Sequence, residues 1–224
     1  MSALPVLKIF LSSPGDVAEE RALAETVFRR LADEVSDVVR LSVVIWEHEP
    51  LFAHTGFQQQ IERPSECDLV VCILWSRLGT RLPSDYAPRP DVPAPTGTEF
   101  EVADALESYR RRGKPDLIIY RKIPPPQVEL GSADFAERSE QYERLADFCR
   151  RVFYDAQGAA VVAHNTFTDG HEFERRLSEH VRRWIDRQIE SPKLGGAVPL
   201  WRGRSPFRGL QAYEAEDQAI FFGR

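Results

Sequence analysis

The chain has 224 residues, of which 42% are hydrophobic and 29% are charged, and its formal net charge at pH 7 is −6. This composition is that of a globular protein large enough for one α/β domain and a tail, and it excludes fibrous and disordered classes. The negative net charge argues against a nucleic-acid-binding surface, because such surfaces concentrate Lys and Arg on one face.

The cysteines and the N-terminus indicate the cellular compartment. Cys67, Cys72 and Cys149 have no spacing that suits a metal site or a set of disulfides, so we predict reduced core thiols and no metal. The N-terminal residues lack the basic segment and long apolar core of a signal peptide, and no stretch approaches the ~20 apolar residues that a membrane span needs. The sequence therefore predicts a cytoplasmic protein that does not bind a membrane.

The N-terminal part of the chain predicts a βα unit followed by a second strand. Residues 6–11 form a β-rich run, which ends in the Ser-Ser-Pro-Gly turn at 12–15. Residues 17–35 have apolar side chains spaced among Glu and Arg as in an amphipathic helix. A second apolar, β-branched run covers 38–46, and a short helix is expected over 56–62.

Residues 68–75 are the most hydrophobic segment of the chain. Such an unbroken apolar run favours a central parallel strand that is buried on both faces. The next stretch, 76–95, contains five prolines and little periodicity, which predicts a long loop. Loops of this length inside compact domains are uncommon and often functional, so this one is a candidate lid or oligomer contact.

Three more helices and two short strands complete the pattern. The helices are expected over 99–112, 132–153 and 165–189, and the strands over 116–121 and 159–163. Gly113 is placed to end the first of these helices as a C-cap. Strands that alternate with helices over residues 6–189 predict an α/β fold with a doubly wound, mainly parallel sheet of about five strands.

Two carboxylates open the helix that precedes Gly113. The turn Thr96-Gly97-Thr98 leads directly into Glu99 and Glu101. Acidic side chains at a helix N-terminus are favoured by the macrodipole and by free backbone N–H groups. The pair therefore has two interpretations, namely capping alone, or catalysis by one of the two acids.

The last twenty residues differ in character from the rest of the chain. Residues 205–224 read SPFRGLQAYEAEDQAIFFGR, which is similar to the segment that precedes the nucleotide-binding P-loop of bacterial STAND ATPases. Residues 191–204 have the Gly and Pro content of a linker. The resemblance implies that residues 1–190 are the N-terminal effector domain of a larger signalling or defence protein, and that ATP binds only in its NTPase domain.

Four segments carry a second resemblance, which covers residues 6–189. They read FLSS at 10–13, ECDLVV at 66–71, TEFE at 98–101 and GKP at 113–115. These segments are similar to the TIR-like domain that heads many STAND proteins, a relative of Toll/interleukin-1 receptor (TIR) domains and of nucleoside 2-deoxyribosyltransferases. Because these relatives are flavodoxin-like, the resemblance implies a flavodoxin-like fold.

The enzymes among these relatives cleave an N-glycosidic bond to a ribose or deoxyribose with a glutamate of the helix before the Gly-Lys strand. Glu101 matches it, because an aliphatic residue follows it, a small residue lies four positions on, and 97–101 resembles the Gly-Thr-x-Phe-Glu of the transferases. Glu99 is then a cap or a second acid. Capping alone remains the alternative for Glu101, since TIR-like folds also serve as pure adaptors.

The substrate of TIR enzymes is NAD+, and the resemblance implies the same substrate here, with no tightly bound cofactor. One carboxylate can stabilise the oxocarbenium-like state, and nicotinamide leaves as a neutral molecule without a general acid. The candidate NAD+ contacts are Ser12, Ser13 and Gly15 at the pyrophosphate, Trp46 and Trp75 at a ring, and Thr98. The alternative is structural, with a strand-to-helix turn at the serines and core or rim positions for the tryptophans.

Three functional hypotheses remain, in order of preference. In the first, the NTPase region drives self-association of TIR-like domains, and the assembled site hydrolyses NAD+ to nicotinamide and ADP-ribose or a cyclic product. In the second, the domain pairs with another TIR-like domain and does no chemistry. In the third, it is a nucleoside or nucleotide N-glycosidase or a deoxyribosyltransferase-like enzyme.

Overall fold

The structure, a computed structural model, describes residues 4–45, 62–87, 94–129 and 131–190. Within these residues a five-stranded sheet lies between helices on both faces. The expected α/β fold is confirmed.

The sheet is parallel throughout. Its strands are β1 (Val6–Ser12), β2 (Arg40–Val44), β3 (Leu69–Leu74), β4 (Asp116–Lys122) and β5 (Asn165–Phe167). Their spatial order is β2-β1-β3-β4-β5, and every neighbouring pair is parallel. This is the flavodoxin-like order, in which the chain reverses its direction of winding between β1 and β3.

Strand β3 occupies the centre of the sheet, as its apolar sequence predicts. All six of its residues are buried, and it pairs with β1 on one side and β4 on the other. A central strand covered on both faces needs apolar side chains in both directions, which is why the run is unbroken rather than alternating.

Within the described residues, four α-helices flank the sheet. They are α1 (Ala18–Glu34), α2 (Gly97–Arg112), α3 (Phe135–Phe153) and α4 (Gly170–Glu190). Arg30 of α1 contacts Ser178 and Glu174 of α4, so these two helices are neighbours. No helix in the described part of the chain is long and apolar enough to span a membrane.

Helices α2 and α3 cover the opposite face from α4. Tyr120 of β4 contacts Phe173 of α4, whereas the preceding residue, Ile119, packs with α2 and α3. Consecutive residues of a strand point to opposite faces, so the two helix layers lie on opposite sides. The core on the α2 and α3 side consists of Cys72, Leu74, Leu78, Val102, Ile119, Leu145, Phe148, Cys149 and Phe153. Cys67, Cys72 and Cys149 are buried and free, as predicted.

The buried face of α2 differs from the apolar face that the sequence suggests. The apolar residues of this helix, which the sequence predicts to face inward, include Ala103 and Tyr109, but both are exposed, and Tyr109 is 50% exposed. Glu101 and Ser108 are buried in their place. Hydrogen bonds make the burial of these polar side chains possible. Ser108 Oγ donates to the carbonyl of Lys114, and Glu101 accepts a hydrogen bond from the last residue of β1.

The strand predicted over 159–163 is wrong, because β5 lies at Asn165–Phe167. Ala160 makes only an isolated bridge with Tyr154. The Asp155 carboxylate accepts the N–H groups of Gln157 and Ala159, which closes this segment into a turn. The following helix accordingly begins at Gly170, five residues later than predicted.

The chain divides into two compact units, residues 1–180 and residues 181–224. Of the second unit, the structure describes the last turns of α4. The predicted linker at 191–204, the segment 205–224 and most of the helix predicted at 56–62 lie outside the described residues.

Candidate active site

The carboxyl ends of β1 and β3 and the first turn of α2 border an open cleft of about 430 Å³. Its walls are the turn after β1 (residues 13–15), the loop after β3 (residues 77–83) and three residues of α2, namely Gly97, Thr98 and Glu101. Doubly wound sheets bind ligands at this edge, and the volume is within the range of ~300–1,000 Å³ that small-molecule sites have. Ser13, Gly15, Thr98 and Glu101, four of the predicted site residues, are therefore together.

Glu101 is hydrogen-bonded to the end of strand β1. Its carboxylate is buried, with 5% of the residue exposed, and it lines the cleft. Ser12 Oγ, at the end of β1, donates a hydrogen bond of 2.6 Å to Glu101 Oε2. This is the length of a charge-assisted O–H···O⁻ bond. Ser12 is fully buried and is not among the cleft-lining residues, and its predicted contact to a ligand stays a prediction.

Cys72 is a further neighbour of this carboxylate. It lies opposite Ser12 in the register between β1 and β3, and it is fully buried. Burial raises the pKa of the Cys72 thiol, the hydrogen bond with Ser12 offsets part of this increase, and the negative charge of Glu101 adds a smaller increase. The thiol stays protonated at neutral pH, so Cys72 is not a nucleophile here.

Glu99 has a different role, although it is only two residues from Glu101. The Thr96 N–H donates to Glu99 Oε2 at 2.9 Å, and the Glu99 N–H donates to Thr96 Oγ1 at 3.3 Å, which is a capping box. Arg151 of α3 contacts the second carboxylate oxygen at 3.2 Å. Residues two apart on a helix point ~200° apart, so one acid caps the helix while the other enters the cleft.

The capping box predicts a measurable contribution to stability. Thr96→Ala is expected to lower the free energy of unfolding by ~0.5–2 kcal/mol, because the Glu99 N–H loses its acceptor. Chemical denaturation measures the change. Thr26→Ala is the matched control, since Thr26 is exposed in the interior of α1, and it is expected to change the free energy by less than ~0.5 kcal/mol. Equal effects of the two variants would contradict the capping role.

The turn after β1 is braced from both sides. Arg21 of α1 donates from Nε to Ser13 Oγ at 2.9 Å and from Nη2 to the carbonyl oxygens of Ser13 and Pro14. Asp16 Oδ2 accepts from the backbone N–H and the hydroxyl of Ser76, both at 2.8 Å, and so ties this turn to the end of β3. Arg21 therefore ties the turn to α1, and Asp16 ties it to the wall that follows β3.

The loop after β3 is ordered where it borders the cleft. Leu78 is fully buried in the core, and Gly79 has a φ of 79°, which is the left-handed conformation that glycine adopts most easily. Two backbone hydrogen bonds join the loop to the segment before α2, from Gly97 N to Thr80 O and from Leu82 N to Pro95 O. The described part of the predicted long loop is thus a fixed wall of the cleft.

The tryptophans are not brought to Glu101 by the described structure. Trp75 Nε1 donates to the carbonyl of Pro124 at 2.7 Å, and the Lys122 ammonium lies 4.3 Å from the centroid of the Trp75 ring. Trp75 is not among the cleft-lining residues, and Trp46 lies outside the described residues. Their contacts to a substrate ring stay predictions.

Two arginines that the sequence pattern does not single out line the cleft. Arg77 and Arg81 both belong to the loop after β3. Arg77 Nε is buried without a hydrogen-bond partner among the described residues, and Arg81 Nη1 donates to the carbonyl of Ala94 at 2.9 Å. The one signal for them in the sequence is their position just after the carboxyl end of the most buried strand, where ligands bind in this class of fold.

Comparisons with family models and with curated proteins found no match for this chain. The described residues also contain no group of three or more His, Cys, Asp or Glu side chains that could hold a metal ion.

Proposed function

We propose that this chain is the TIR-like effector domain of a STAND protein and that it hydrolyses NAD+ at the bond between nicotinamide and ribose. The observation that supports the proposal most is the placement of Glu101. It is a buried carboxylate that faces an open cleft at the carboxyl edge of a parallel sheet and accepts a short hydrogen bond from Ser12.

The reaction needs little from the protein besides this carboxylate. The bond between C1′ and nitrogen breaks with its electron pair going to the pyridinium nitrogen, so nicotinamide leaves neutral. Positive charge develops on the ribose, and Glu101 stabilises it by its negative charge or by attack at C1′. Water then supplies a hydroxyl group to C1′ and releases a proton, which yields ADP-ribose. A carboxylate in a partly desolvated site stabilises the positive charge on the ribose better than a carboxylate in bulk water, because the effective dielectric constant is lower.

The arrangement of the two glutamates supports an enzyme over a pure interaction module. In a module, Glu101 would be expected to cap its own helix, and the cleft would be filled by side chains. Here Glu99 closes the capping box, while Glu101 is bonded from strand β1 and borders an open cleft. The capping requirement of α2 does not explain why a second acid is buried two residues further on.

The test of the proposed function is nicotinamide release by the full-length protein after oligomerisation by its activating ligand. NAD+ is expected to give nicotinamide and ADP-ribose or its cyclic form. Base release from nucleosides with NAD+ left intact would replace the proposal with a nucleosidase or transferase. No release from any of these substrates by the oligomerised protein would favour the interaction module.

Ser12 offers a second prediction on the proposed function. Ser12→Ala is expected to lower kcat about 10-fold with little change in KM, because the variant loses the bond that orients Glu101 but no contact to the substrate. Ser13→Ala is the matched control, since it removes the neighbouring hydroxyl, which accepts a hydrogen bond from Arg21 Nε. A larger loss of kcat in Ser13→Ala than in Ser12→Ala would contradict the positioning role.

A further inference from the structure

The cleft carries the opposite charge from the chain as a whole. The chain has a net charge of −6, but the charged side chains among the described cleft-lining residues are two arginines, Arg77 and Arg81, and one carboxylate, Glu101. A cleft that concentrates cations in an acidic protein is suited to an anionic ligand, because field lines are focused between low-dielectric walls.

Arg77 is the first candidate for a group that binds such a ligand. Its Nε is buried and has no hydrogen-bond partner among the described residues. A buried N–H donor of a charged group costs free energy when it has no hydrogen-bond acceptor. A ligand or an ordered water that accepts a hydrogen bond from the Arg77 guanidinium would therefore be stabilising. Arg81 also lines the cleft, and the one hydrogen bond from its Nη1 to the carbonyl of Ala94 uses one of the five N–H donors of its guanidinium.

Both arginines are carried by a preorganised backbone. Leu78, between them, is fully buried, and Ser76 is held by two hydrogen bonds to Asp16. The Thr80 carbonyl accepts the Gly97 N–H at the start of α2. A backbone that is already in place lowers the ordering cost of binding, because only the two arginine side chains have to adjust to a ligand.

We propose that Arg77 and Arg81 bind a phosphate group of the substrate, so that the cleft selects N-ribosyl phosphates, that is nucleotides and dinucleotides, over the unphosphorylated nucleosides. A guanidinium group binds a phosphate through two parallel N–H···O bonds, which a neutral 5′-hydroxyl cannot reproduce. The ribosyl part of this inference rests on the proposed function. The phosphate part rests on the two arginines alone.

A binding measurement tests the phosphate site without turnover. Titration calorimetry of the full-length Glu101→Gln protein with ADP-ribose is expected to show a Kd that Arg77→Gln raises about 10- to 100-fold, as for the loss of a charged hydrogen-bonding group. Arg110→Gln is the matched control, because it removes the same charge from an exposed position of α2, and it is expected to leave the Kd unchanged. Adenosine is expected to bind weakly and equally to all three proteins. An equal loss of adenosine and ADP-ribose binding in Arg77→Gln would indicate a collapsed wall and overturn the proposal.

An activity measurement separates this proposal from the proposed function. Nicotinamide mononucleotide is expected to have a kcat/KM at least 10-fold above that of nicotinamide riboside, and Arg77→Gln is expected to remove most of that difference. Equal rates for the two substrates, unaffected by Arg77→Gln, would overturn the phosphate site while leaving the glycohydrolase standing. Arg77-dependent ADP-ribose binding without nicotinamide release from any substrate would support the phosphate site and overturn the glycohydrolase.

Discussion

Replacing Glu101 by glutamine is expected to reduce nicotinamide release from NAD+ by roughly 10²–10³-fold, the loss seen when one electrostatic contact to a developing charge is removed. The amide keeps the size of the side chain but has no charge with which to stabilise an oxocarbenium-like ribose. Ser12 can still donate to the amide oxygen, so the fold is expected to be retained. The loss is therefore one of chemistry, which single-turnover rates at saturating NAD+ measure.

Glu99→Gln is the matched control for this experiment. It makes the same chemical change two residues away, on the side chain that closes the capping box with Thr96. An amide oxygen can still accept the Thr96 N–H, so activity is expected to stay within about 3-fold of the unmodified protein, with a small loss of stability. Full activity in Glu101→Gln, or an equal loss in both variants, would end the assignment of catalysis to Glu101.

The sequence predicts the fold because the fold depends on patterns that are local. The unbroken apolar run of β3 identifies the centre of the sheet, and the alternation of strands with helices identifies the doubly wound class. Gly113 is predicted to end α2, and it does so with a φ of 70°. Strand β5 escapes prediction because three residues are too few to show a periodicity.

The site is predicted less completely, because it depends on contacts between distant residues. The sequence does not distinguish the acid that caps α2 from the acid that lines the cleft. Glu99 and Glu101 differ only in the direction in which each side chain leaves the helix. The bond from Ser12 to Glu101 joins residues 89 positions apart, and no local pattern indicates it. Arg77 lies in a segment without hydrophobic periodicity. Its place in the cleft depends on the pairing of Arg81 with Thr96, which joins the loop after β3 to the start of α2.

A partly buried ion pair joins the C-terminal end of β4 to α1. Lys122 Nζ lies 2.7 Å from Glu20 Oε1, with side-chain exposures of 17% and 3%, and the same ammonium lies over the ring of Trp75. Three elements therefore meet at one cation, namely α1, the end of β3 and the end of β4. Lys122 supplies the counter-charge of a carboxylate that has little access to water, so removing the lysine leaves the charge of Glu20 uncompensated.

Lys122→Met is accordingly expected to lower the free energy of unfolding by about 3–5 kcal/mol, because it leaves the Glu20 carboxylate buried without its counter-charge. The double variant Lys122→Met with Glu20→Leu is expected to recover most of this loss, since no charge then remains buried. Arg150→Met is the matched surface control, because its contact with Asp147 is exposed, and a change of at most ~1 kcal/mol is expected. Chemical denaturation of the single and double variants decides the point. If the double variant were as unstable as Lys122→Met, the loss would come from the missing contact of the ammonium with the Trp75 ring, and an uncompensated charge on Glu20 would not be its cause.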